Sequence, residues 1–101
     1  MLRRWRYGQV IDAQLALFER EHRDVIEEAR ERLADYNRAG RDEAEELYGD
    51  YVDAVETGTE ILADLRDNYA RTVDDPEKYC AEFNRAVARR LRPFASEIEN
   101  R

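Results

Sequence analysis

The chain has little of what most catalytic sites are made from. A single cysteine, Cys80, excludes an intrachain disulfide and suits a reducing compartment, so the expected location is cytoplasmic. With a single histidine, His22, and a single serine, Ser96, distant in sequence and expected to be distant in space, no Ser-His-Asp set is expected, and no glycine-rich phosphate loop is present. Two prolines and four glycines in 101 residues leave few turns, which disfavours any β architecture. No apolar run approaches the ~20 residues of a membrane span, so no membrane partner is expected. The opening MLRRWRYG carries charge but no apolar stretch behind it, unlike a secretory signal.

What the chain does have is charge and periodicity. Charged residues make up 41% and hydrophobic residues 43%, which suits helices with one apolar seam and a solvated outer face. Along residues 41–73, apolar or small residues recur at 44, 48, 51, 55, 58, 62, 65, 69 and 72, in steps of three and four. Upstream, Ile11, Leu15, Phe18, His22, Val25, Ala29, Leu33 and Tyr36 obey the same rule. A reversal at Gly40, taken as a left-handed stop, would set Tyr36 against Ala44, Ala29 against Tyr51, Val25 against Val55, His22 against Gly58 and Phe18 against Leu62.

The expected fold is therefore all-α. It is an antiparallel three-helix bundle built on a long helical hairpin, forming one domain with helices over about residues 9–38, 42–73 and 76–98. Asp42 is a candidate cap for the second helix. Asp75, followed by Pro76 and Glu77, reads as the start of the third, and Pro93 should kink or stop it. A glycine inside a helix costs about 1 kcal/mol relative to alanine, so Gly58 implies close approach or a large group opposite. Trp5 and Tyr7 should close the end of the bundle.

The net charge of −7 is unevenly spread. Residues 42–77 hold thirteen acidic side chains against Arg66 and Arg71, whereas Arg3, Arg4, Arg6, Lys78, Arg85, Arg89, Arg90 and Arg92 make the two flanks basic. Basic flanks lying on an acidic middle helix account for this pattern, and an acidic chain disfavours a nucleic-acid partner. Leu17, Ile26, Leu47, Val52, Ala54 and Ile61 stand beside the main stripe, more than a short third helix can cover. A homodimer is expected on that ground.

Two constellations carry possible chemistry. Glu19 and His22 form Glu-x-x-His on one helical face, half of a di-iron carboxylate motif and so a candidate metal pair, although with one histidine a second subunit would have to complete it. The second runs from Glu27-Glu28-Ala29-Arg30-Glu31 to Asp50-x-x-Asp53. With EAEELYGD and the segment DPEKYCAEFNRAVARRLRPF, residues 25–94 resemble the MazG-like all-α nucleoside triphosphate pyrophosphohydrolases, here with Asp-x-x-Asp where that family has Glu-x-x-Asp. The resemblance implies Mg²⁺ held by Glu28, Glu31, Asp50 and Asp53 against a triphosphate, with Asn84 and Arg89 or Arg90 facing phosphate. Cys80, on an apolar face, reads as a small hydrophobe. With a clear seam and no convincing catalytic set, the expected function is a non-enzymatic, self-associating helical assembly module without cofactor. The Mg²⁺-dependent pyrophosphohydrolase is the alternative.

Overall fold

The computed structural model describes residues 5–101; Arg3 and Arg4 of the basic amino end lie outside the described residues. The fold is all-α: α1 (Gly8–Glu21), α2 (Arg23–Arg38), α3 (Ala44–Ala70), α4 (Pro76–Arg90), a 3₁₀ turn (Arg92–Phe94) and α5 (Ala95–Glu99). None of the described helices is long and apolar enough to cross a membrane.

The stripe over 9–38 predicts one rod, but the chain makes two helices, broken at His22 with φ −124° and ψ 36°. The His22 N–H still donates to the Phe18 carbonyl at 2.8 Å, and the His22 carbonyl receives the N–H groups of Val25 and Ile26. Below the break, α1 leaves the line of α3 and packs chiefly on α4, while α2 stays on α3. The cause is Phe94. Its ring is fully buried against Phe18, edge to face with centroids 6.2 Å apart. It also fills the notch at Gly58, where an added Cβ would come within 2.6 Å of Phe94 Cζ. The large group opposite Gly58 is thus Phe94 rather than His22, whose own ring stacks on Phe18 at 5.3 Å. Burying an aromatic ring of this size yields about 2–3 kcal/mol, enough to offset one interrupted turn.

The turns also differ in detail from expectation. No glycine has a positive φ, so Gly40 is not a left-handed stop. Ala39 is extended, and the Gly40 carbonyl accepts the N–H groups of Glu43 and Ala44, each at 3.1 Å, to launch α3. Glu43, not Asp42, precedes α3, and it makes no side-chain cap. The start of α4 follows its sequence signal: Asp75 accepts the Lys78 N–H at 3.2 Å, with Pro76 in the first helical position. Near Pro93, where a kink or a stop was expected, the helix is interrupted: α4 ends at Arg90. Leu91 leaves helical geometry, and the chain restarts through the 3₁₀ turn into α5.

Side-chain ties hold α1 and the carboxy-terminal segment in place. Glu82 is buried and accepts the backbone N–H groups of Arg6 (3.1 Å) and Tyr7 (2.8 Å), an anion set at the start of α1. Arg90 forks onto Glu19 at 2.8–3.2 Å, and the Tyr79 hydroxyl donates to Gln14. Trp5 and Tyr7 do pack on the core, Trp5 beneath the Arg89 guanidinium at 4.4 Å and Tyr7 edge-on to Tyr79. Arg66, only 4% exposed, donates to Asp67 (2.8 Å), Asn84 (2.9 Å) and the Ile98 carbonyl (3.0 Å), pinning α5 to α3 and α4.

These ties gather the core at one end. From residue 30 to residue 54 no side chain is buried. That stretch is a two-helix arm, the free end of the α2–α3 hairpin, on a molecule 50 Å long and 30 × 24 Å across. Tyr36, Tyr48 and Tyr51 cluster along it, with successive ring centroids 5.2 and 6.3 Å apart, and Tyr48 is 51% exposed.

Candidate functional site

A cleft runs along one flank of the α2–α3 seam. Helical spacing puts Asp24, Val25, Glu28 and Arg32 on one face of α2, and Asp50, Asp53, Ala54 and Thr57 on one face of α3. These eight residues line a cleft of about 490 Å³. Val25 and Ala54 supply its apolar floor, and four carboxylates surround one cation. Arg32 bonds Glu28 through two nitrogens at 3.0 and 3.1 Å. That bond and the Glu28 charge, with lesser help from Asp50 and Asp35, hold the Arg32 guanidinium above its ordinary range. Thr57 turns its hydroxyl back to the Asp53 carbonyl at 3.1 Å.

Three of the four residues drawn from the pyrophosphohydrolase resemblance, Glu28, Asp50 and Asp53, meet in this cleft. Glu31 is exposed and lies outside its lining. Asp24, Arg32 and Thr57 join it without having been anticipated. Asp24 was recoverable, since it stands four residues before Glu28 and so shares its face. The residues do not fit the Mg²⁺ that the resemblance implies. Among the described residues no three His, Cys, Asp or Glu side chains converge closely enough to hold an ion, and the Glu28 carboxylate is engaged by Arg32.

The other candidates have structural partners. Glu19, half of the Glu-x-x-His pair, takes Arg90. His22 stands at the helix break against Phe18. Asn84 receives Arg66, and Arg89 covers Trp5, so none of the three expected phosphate-facing residues reaches the cleft. Cys80 is half-buried on α4, and burial pushes its thiol above the ordinary range despite the nearby Arg66. A raised thiol pKa lowers the thiolate fraction and with it the reactivity.

No known protein family, curated protein or solved structure matches the chain. The cleft, which straddles the base of the arm, and the arm itself therefore stand on their geometry.

Proposed function

We propose that this chain is a non-enzymatic helical interaction module whose docking element is the α2–α3 arm. The observation that carries the reading is the absence of any buried side chain over residues 30–54, although Leu33, Tyr36, Leu47, Tyr51 and Val52 bring apolar surface there. Two helices alone cannot cover each other's apolar stripes; a third or fourth layer completes them in stable bundles. The rest of the chain has that layer and the arm lacks it. Amide exchange in dilute protein tests this reading. Arm amides should exchange far faster than those of Leu15, Phe83 and Val87 and gain protection once a partner docks. Arm amides as slow as the core in dilute protein would mean that no partner is needed, and would refute it.

A second reading, a Mg²⁺-dependent nucleoside triphosphate pyrophosphohydrolase, has one specific support: Glu28, Asp50 and Asp53 share the cleft. It predicts a higher melting temperature with millimolar Mg²⁺ and a nucleoside triphosphate, abolished by Glu28→Gln. The lack of a converging ion site and the engagement of Asn84, Arg89 and Arg90 elsewhere weigh against it.

A further inference from the structure

The cleft is chemically one-sided. Of its carboxylates only Glu28 has a cationic partner; Asp24, Asp50 and Asp53 form no ion pair among the described residues. Its floor, Val25 and Ala54, is low and apolar, and the single guanidinium seated there, Arg32, comes from its own wall. This cleft therefore fits a helix that offers arginines at helical spacing with small residues between them, so that the helix axis can come close.

The chain carries such a face itself. Tyr79, Phe83, Ala86 and Val87 turn α4 inward. The opposite side presents Ala81, Arg85 and Ala88, flanked by Lys78, which pairs with Glu82 at 3.7 Å, and by Arg89, which lies over Trp5, with Arg92 just past its end. Arg85 and Arg92 are exposed and make no ion pair among the described residues. Arg85 and Arg89 stand about 6 Å apart along the helix, matching carboxylates at i,i+3 and i,i+4 on the facing walls, and Arg89 stays exposed although its guanidinium lies over the Trp5 ring. The inward face of α4 is locked into the core, so its outer face cannot fold over onto the cleft of the same molecule.

We propose that the cleft between α2 and α3 takes the arginine–alanine face of α4 from a second copy of this chain. The proposal rests on the arm being a docking element and names its occupant. Patch and partner patch differ, so each contact is head to tail; it closes into a dimer only if made twice, and otherwise extends into a chain of copies.

Charge reversal tests this directly. At low ionic strength the mass by light scattering should exceed the 12.0 kDa of one chain and fall toward it as salt shortens the Debye length from about 30 Å at ~0.01 M to about 3 Å at ~1 M. Asp50→Arg or Arg85→Asp, both on exposed positions, should each weaken association at least tenfold with unchanged circular dichroism. Mixing the two variants should restore it, because the reversed charges then face each other. Association that is indifferent to salt and to both variants would overturn the proposal in favour of an apolar contact. A strict monomer at every concentration would also overturn it. In that event a synthetic helical alanine–arginine peptide separates the two ideas: binding that Asp50→Arg abolishes keeps the arm as a docking element for a foreign basic helix, and no binding removes both.

Discussion

Gly58 and Phe94 set the geometry of the interior. A methyl group at position 58 would collide with a ring that is fully buried and has no room to retreat. Gly58→Ala gains up to about 1 kcal/mol in helix propensity but should lose about 1–3 kcal/mol to overpacking, so the melting temperature should fall. Adding Phe94→Leu to that variant should recover part of the loss, and a double-mutant cycle by chemical denaturation measures the coupling. Tyr79 offers a second residue-scale test. Burial pushes its phenol up to about 12. The unfolded value is about 10, so the fold favours the neutral form. That contribution is complete below pH ~10 and is lost as pH rises through about 12. Denaturant midpoints should therefore drop over this alkaline window, and Tyr79→Phe should flatten the drop.

At the scale of elements, the molecule is held by charged groups reaching backbone ends. Glu82 receives the two N–H groups leading into α1, and Arg66 holds the Ile98 carbonyl of α5. Glu82→Gln should cost about 0.5–2 kcal/mol and speed amide exchange in the first turn of α1 while α3 is unaffected. Arg66→Lys keeps the charge but lacks the fork that meets Asp67, Asn84 and Ile98 together, and about 1–3 kcal/mol should be lost, with residues 92–99 fraying first. Among the element boundaries, the start of α4 was legible because Asp75 and Pro76 act on their own neighbours. The break at His22 was not legible, because no residue near it breaks helices. The ring that lies beside it between α1 and α3, Phe94, comes from far along the chain, and periodicity within one segment does not reveal it.

At the scale of the whole molecule, stability is concentrated at one end. Phe83→Ala, in the core, should cost about 3–5 kcal/mol, whereas Tyr48→Ser, on the arm, should stay within about 0.5 kcal/mol in dilute protein; urea melts of the two variants check the contrast. Such an imbalance leaves the arm able to order against a partner. Of the candidate site, the part that follows from spacing was visible in advance: Glu28, Asp50 and Asp53 come together because each helix repeats every three to four residues. Arg32 opposing them, and the diversion of Asn84, Arg89 and Arg90 into structural contacts, depend on how helices distant in sequence pack.

By itself the sequence determined that the chain is helical and that α4 starts at Pro76 behind Asp75. Those features follow from steps of three and four and from a cap, which act over a few residues. Tertiary structure alone decided that the first rod breaks at His22, that α1 belongs to α4 rather than α3, and that the far end of the hairpin is left without a third layer. Each of these depends on how elements distant in sequence pack, as Phe94 does between Phe18 and Gly58.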